Sequence, residues 1–288
     1  MKINYLILAH GNFSHIDRLI DSLNDTDSRF FVHIDRKTAA NYINPSANVE
    51  VLTGKSRVNV NWGSFGMIQA TINLMKKAAL ARPSDYYILL SGSDYPIRSR
   101  DFLQKILSSG KEFINVLPAP LPHKPLSRFE HFYFDYNRRR PGFVGHLMMI
   151  LENTLSALCI KRKIPFQLYA GSQWFAITGK CADHILCTIE TDKIYTKLFR
   201  YSLIPDEAFF HTIIGNSEFA TDTHRNLTYT DWSTNPAPAV LTEKHIELFE
   251  KQTEFEGSYG KYTPVFARKF DETNADLIEI IENKLLSK

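Results

Sequence analysis

Residues 3–35, INYLILAHGNFSHIDRLIDSLNDTDSRFFVHID, carry the pattern that decides the fold. The run from Asn4 to Ala9 is short, apolar and unbroken, which suits a buried strand. Behind it Ile16, Leu19, Ile20 and Leu23 recur at helical spacing, with Ser14 placed to cap the helix and Asp17 three residues on. Phe30 to Ile34 is apolar again and makes a second strand. Strand, helix and strand in this order form a βαβ unit.

The rhythm continues outward. Val49 to Leu52 is a short third strand, and Met67, Ala70, Thr71, Leu74 and Ala78 mark one face of a helix. Tyr86 to Leu90 is another buried strand, followed by a helix through Phe102, Leu103, Ile106 and Leu107 that stops near Gly110, and by Phe113 to Leu117. Later, Trp174 to Thr178 reads as a strand, Cys181, Ile185 and Ile189 as a helix, and Leu277, Ile278, Ile281 and Leu285 as a final helix. Such alternation implies an α/β fold with a doubly wound, mainly parallel sheet flanked by helices, whose ligands collect beyond the carboxyl ends of the strands.

At 288 residues with 44% hydrophobic content, the chain suits one domain over 1–288 with a substantial core. Its expected parts are an α/β half (1–117) of the kind that binds nucleotides beyond its strand ends, an insertion (118–168) and a second half (169–288). The insertion stands out by its clustered prolines and by the basic triplets Arg138-Arg139-Arg140 and Lys161-Arg162-Lys163, which bracket a helix through Leu147 to Leu158. Leu147, Leu151, Leu155 and Leu158 share one face, expected to pack on the core; the competing reading lays the segment on an anionic membrane surface. The apolar stretch from Phe143 to Leu158 contains His146, Glu152 and Asn153 and falls short of the roughly 20 residues of a membrane span. No secretory signal fits Met1-Lys2 and the short run after it, so a cytoplasmic protein is expected, with peripheral contact at the inner membrane face as the variant. Cys159, Cys181 and Cys187 match neither a zinc nor a disulfide pattern and are expected to be reduced core thiols. A net charge of +3, with no RNP-like or helix-turn-helix pattern, argues against general nucleic-acid binding and favours a specific anionic ligand.

The chemistry concentrates in four segments. In PDEAFFHTII, 205–214, proline precedes two acids where a helix opens. Asp206 and Glu207 are either helix-capping acids or, for Glu207, a general base held beside a hydroxyl. His10, Asp35 and Asp94 follow strands and would line one edge of the sheet; Asp35 could accept from a ribose or a uracil N–H, or form a turn. In LSGSDYPI, 90–97, Gly92 permits close backbone approach to a ligand, and Gly92 also stands where a second acid would complete a metal-binding pair with Asp94. A lone carboxylate is a poor metal site, so a leaving diphosphate would be neutralised by the cations of FARKFD, 266–271: Arg268 and Lys269. Trp174, in GSQWFAIT at 171–178, and Trp62, in VNWGSFG at 60–66, are each either a stacking surface for a sugar ring or core.

Taken in order, YLILAH (5–10), VHIDRK (32–37), the segment 60–76, ILLSGSDYPI (88–97), GSQWF (171–175), PDEAFFHTII, YTDW (229–232) and FARKFD resemble the core-2/I-branching family of glycosyltransferases, with its animal β-1,6-N-acetylglucosaminyltransferases and peptide O-xylosyltransferases. The resemblance implies a GT-A-like fold and inverting, metal-independent transfer from a UDP-sugar, a co-substrate and not a cofactor, N-acetylglucosamine being favoured over xylose. It implies Glu207 as base and Lys269 as a diphosphate contact. His10 and Asp35 would meet the nucleoside, Ser91, Gly92 and Asp94 the donor sugar, Arg268 the phosphates, and Ser172, Gln173 and Trp174 the acceptor. A second basic phosphate contact belongs just before Tyr229, where this chain has Thr228; Arg225 or Arg268 could replace it. The expected setting is a bacterial relative acting on saccharide or lipid-linked saccharide precursors of surface polysaccharide. A sugar nucleotidyltransferase and a catalytically silent saccharide-binding protein are the alternatives.

Overall fold

The computed structural model describes residues 1–39, 42, 46–81, 83–271 and 274–287. The main sheet is built from β1 (Ile3–Ala9), β2 (Ser28–Ile34), β3 (Val49–Val51) and β4 (Tyr86–Ser91), while β5 (Asp94–Pro96) belongs to a smaller sheet. Further along come β6 (Glu112–Phe113), β7 (Ala176–Thr178), β8 (Thr223–His224), β9 (Thr228–Thr230) and β10 (Phe266–Arg268). The seven main strands lie in the order β8-β6-β7-β4-β1-β2-β3. β1 is central and runs parallel to both β2 and β4, whereas β7 runs antiparallel to β4 and β6. The sheet is thus mainly parallel, as the alternation of strand and helix implies.

The unbroken apolar run in β1 follows from its place: all seven residues are buried. Tyr5, Ile7 and Ala9 point into a layer with Ile16, Leu19 and Ile20 of α1 (Phe13–Leu23), while Leu6 and Leu8 join Ile68, Leu74 and Met75 of α2 (Gly66–Ala81) on the other face. A strand covered on both sides leaves no position for a polar alternation. The smaller sheet, β9-β10-β5, extends beyond the end of β4 and brings Arg268 opposite Asp94.

Several local expectations are corrected. Ser14 lies inside α1; the cap position is Asn12, in a left-handed conformation with φ 55°. Phe113 to Leu117 is not one strand: the chain leaves the sheet after Phe113, and Leu117–Pro118 pairs separately with Tyr169–Ala170. Cys181 is a buried thiol, but Cys159 and Cys187 are exposed. The largest departure is the helix α3 (Phe143–Ala157), whose leucine face does not pack on the core. Leu147, Leu151 and Leu158 are 50%, 43% and 65% exposed, and the helix buries Gly145 and Glu152 instead. Glu152 is the reason: its carboxylate is held by Arg138 at 2.7 Å and accepts from Phe134 N–H at 2.6 Å, which turns the polar side inward.

Candidate active site

Parallel pairing brings the ends of three strands together. Leu8 of β1 is in register with His33 of β2 and with Ser91 of β4, so His10, Asp35 and the 91–94 loop share one edge. His10 is exposed there. Asp35 is buried, accepts from Lys37 N–H at 3.0 Å and has the Lys37 ammonium 3.5 Å away, so its carboxylate closes the turn after β2. His33 beside it accepts from Val58 N–H at 3.0 Å, and burial pulls its pKa down to about 4.

Asp94 is fully buried, and its carboxylate is occupied. One oxygen accepts from Ser91 N–H at 2.7 Å; the other accepts from the Ser91 hydroxyl at 2.8 Å and lies 3.3 Å from Arg268 Nε. Burial raises the Asp94 pKa, and the Arg268 charge and the Ser91 bonds oppose that rise. Gly92 has a packing reason as well: a Cβ there would come within 3.0 Å of Ile16 on α1. The close approach at Gly92 is therefore made by α1.

Arg268 then stacks on Trp174, its guanidinium 4.4 Å from the ring centroid. Trp174 is 5% exposed, so its ring is a platform for Arg268 and not an open stacking surface. The same short segment is tied to the backbone of Glu207 and to the His211 ring. Gly171 N–H donates to the Glu207 carbonyl at 2.9 Å, and the Ser172 carbonyl lies 2.7 Å from His211 Nε2. Gly171 has no room for a side chain, since a Cβ would stand 1.9 Å from the Asn115 carbonyl oxygen. Burial drives the His211 pKa down to about 3, which leaves a neutral ring as a fixed partner for the loop. Ser172 and Gln173 sit half-buried between Glu207 and Trp174.

Pro205-Asp206-Glu207 forms its own 3-10 turn, entered through Ile204 at φ 50°, and the α-helix that follows, α4 (Phe209–Gly215), begins later. Neither acid caps a helix through its side chain. Glu207 Oε2 accepts from Lys124 Nζ and from Arg128 at 3.0 Å, while Oε1 has no hydrogen-bond partner among the described residues. The Glu207 side chain is 26% exposed, whereas Lys124 is 8% exposed. Arg128 is steadied in turn by the His123 carbonyl at 2.6 Å. Beside this cluster, burial and then the Glu207 charge push the Asp206 carboxyl up to about 7. Burial and the Glu207 charge likewise push the Tyr259 phenol up to about 12, against Arg128 and Arg225.

Residues 3–253 match a family model described as Core-2/I-Branching enzyme. The chain belongs to the Core-2/I-Branching enzyme family. Xylosyltransferase 1 of Homo sapiens is 25% identical over 253 residues, spanning 81% of this chain and 24% of its own length. Xylosyltransferase 2 of Pan troglodytes is 25% identical over 314 residues, spanning 98% of this chain and 33% of its own. The chain therefore spans a quarter to a third of the length of these curated relatives. Among solved structures, a putative glucose-1-phosphate thymidylyltransferase from Bacillus anthracis is 11% identical, covers 89% of this chain and 98% of its own, and superposes with a TM-score of 0.37, too low to carry an argument.

In this Core-2/I-Branching chain the 171–174 segment joins the two groups of sequence-predicted residues, with Glu207 at one end and Arg268 with Asp94 at the other. Lys269 follows β10, its backbone tied to Leu241 N–H at 2.9 Å; its ammonium has no ion-pair partner among the described residues. Thr228 is buried in β9, while Arg225 lies against the Gly260 turn, its guanidinium 3.3 Å from where a Cβ would be. Sequence reasoning missed Lys124, Arg128 and Tyr259. The first two lie in the proline-rich stretch after residue 117, where no periodicity marked them, and only the tertiary fold carries them to Glu207. Two clefts, of about 530 and 300 Å³, lie elsewhere, lined by Arg18, Asp21 and Glu282 and by Arg162, Lys163 and Lys197 respectively.

Proposed function

We propose that this chain is an inverting glycosyltransferase that moves a sugar from a UDP-sugar to a saccharide hydroxyl without a metal cofactor. The observation that carries the reading is the carboxylate of Glu207, clamped on one oxygen by two cations and open on the other, on a residue whose backbone carbonyl accepts from Gly171 at the start of the segment that ends in Trp174 beneath Arg268. A clamped carboxylate keeps a fixed direction, which general-base catalysis needs. The acceptor hydroxyl gives its proton to Oε1 as its oxygen attacks the anomeric carbon from the face opposite UDP. The C–O bond to the diphosphate breaks, UDP leaves with the electron pair, and the product is a β-glycoside.

Negative charge then grows on the diphosphate. Lys269 is the cation assigned to it, with Arg225 as the second contact in place of the missing residue at Thr228. Arg268 is a poorer choice because Asp94 already neutralises it at 3.3 Å. Asp94 is also ill-suited to a metal ion, since Ser91 and Arg268 occupy its oxygens. UDP-N-acetylglucosamine is the first donor to try and UDP-xylose the second, the latter because the relatives are named xylosyltransferases. Bacterial surface polysaccharide precursors are the acceptor class we favour.

A panel of UDP-sugars tests this by thermal stabilisation and by slow hydrolysis in the absence of acceptor. The expected result is one donor that both stabilises the protein and is hydrolysed in the presence of EDTA, with β configuration in the transfer product. A chain that no UDP-sugar stabilises, or a product of retained configuration, overturns the reading.

A further inference from the structure

We propose that α3 and its flanks dock on an anionic lipid surface. At roughly 100° per residue the buried positions Gly145 and Glu152 fall on one side of α3. Phe143, Leu147, Ile150 and Leu151 fall on the opposite side, 80%, 50%, 59% and 43% exposed, and Leu158 continues that side past the helix end at 65%. Thr154 shares the face, but its hydroxyl is returned to the Ile150 carbonyl at 2.8 Å, so it presents mainly its methyl group. The helix is thus amphipathic in the inverted sense, with its one carboxylate inward and its bulky apolar side chains outward. A contiguous apolar surface of this kind marks a docking site.

Charge identifies the occupant. Between residues 136 and 163 Glu152 is the only acid, against six Lys and Arg residues. The structure separates those cations. Arg138 is bound to Glu152, and Arg162 donates inward to the carbonyls of His131, Phe129 and Leu198. Arg139, Arg140 and Lys163 are exposed at the two ends of the apolar strip, and Lys161, also exposed, is paired with Glu130 at 3.1 Å. Lys163 also lines an open 300 Å³ cleft with Arg162 and Lys197, dimensions that suit a phosphate headgroup. Trp62, 51% exposed, sits under Arg139 with the guanidinium 5.6 Å from the ring, an amphipathic pair suited to the headgroup level. A second copy on this face would bring cations against cations, whereas an anionic bilayer meets both the charges and the inserted side chains.

Co-sedimentation with vesicles of phosphatidylcholine alone, and of phosphatidylcholine mixed with phosphatidylglycerol, tests the assignment. The protein should bind the anionic vesicles more tightly, and added salt should release it. Each unpaired exposed cation contributes about fivefold at an anionic surface, so the combined Arg139→Gln, Arg140→Gln and Lys163→Gln variant should lose on the order of 10²-fold in vesicle affinity. Leu147→Gln with Ile150→Gln should also weaken binding, while circular dichroism shows both variants folded. Failure to bind anionic vesicles at low salt, or equal binding by both variants, overturns the proposal. So does a dimer that the Leu147→Gln and Ile150→Gln pair disperses while vesicles stay unbound. None of these residues touches Glu207 or Arg268, so the result is independent of the UDP-sugar panel.

Discussion

Replacing Glu207 by glutamine separates its chemical role from its structural one. The carboxylate accepts from Lys124 and Arg128 through one oxygen, and Lys124 is 8% exposed, so the ammonium has little water to fall back on. The amide keeps a carbonyl acceptor but loses the charge. Both donors stay charged, so each bond to the amide remains charge-assisted and loses only its ion-pair part, about 0.5–1 kcal/mol. Partial exposure of the pair, and relief of the charge pressing on Asp206, hold the expected destabilisation to about 1–2 kcal/mol. Transfer should fall far more, by about 10² to 10⁴, the usual contribution of a general base. Urea unfolding, calorimetric UDP binding and single-turnover transfer measure the three quantities, and UDP affinity should stay close to wild type. The double variant Lys124→Met with Glu207→Gln removes the stranded cation and should recover part of the lost stability without recovering transfer. Near-wild-type transfer by Glu207→Gln would refute the base assignment. Transfer restored in the double variant would show that the unpaired Lys124, and not the missing base, had caused the loss.

Exhaustive chelation should leave activity intact; loss with EDTA and recovery with manganese would contradict the assignment of cations to the diphosphate. Lys269→Ala should weaken UDP binding by about 1.5–3 kcal/mol, the range for a charge-assisted hydrogen bond, as read by calorimetry. Asp206 has its folded pKa raised from 3.8 to about 7. For an acid shifted up, the unfolded chain releases its proton first, so stability present below about pH 4 is lost as pH rises to about 7. At 1.36 kcal/mol per unit the full loss is about 4 kcal/mol, and remaining solvent contact reduces it to about 2. Asp206→Asn should remove that slope, so urea unfolding at pH 5 and pH 8 should show the variant gaining on wild type at the higher pH; an unchanged difference would sink the linkage argument.

The sequence by itself determined the architecture. The run Asn4 to Ala9 reads as a buried strand, and the strand and helix spacing of its neighbours gives the mainly parallel sheet in which β1 lies between β2 and β4. It also marked Glu207, Arg268 and Asp94, because a proline-acid turn and a polar loop after an apolar strand are local signals. Local signals could not say how those side chains are used. Trp174 became a platform for Arg268, Gly92 a seat for Ile16, and Asp94 a partner of Ser91 and Arg268 only once distant segments closed on each other. Lys124 and Arg128 were invisible in the sequence because cations in an aperiodic segment look alike until the chain brings them to a carboxylate 83 and 79 residues away. The leucine face of α3 shows the limit most plainly. Helical periodicity specifies which residues share a face, but which face turns inward is set by the one buried pair, Glu152 with Arg138, because a desolvated carboxylate demands its partner more strongly than exposed leucines demand cover.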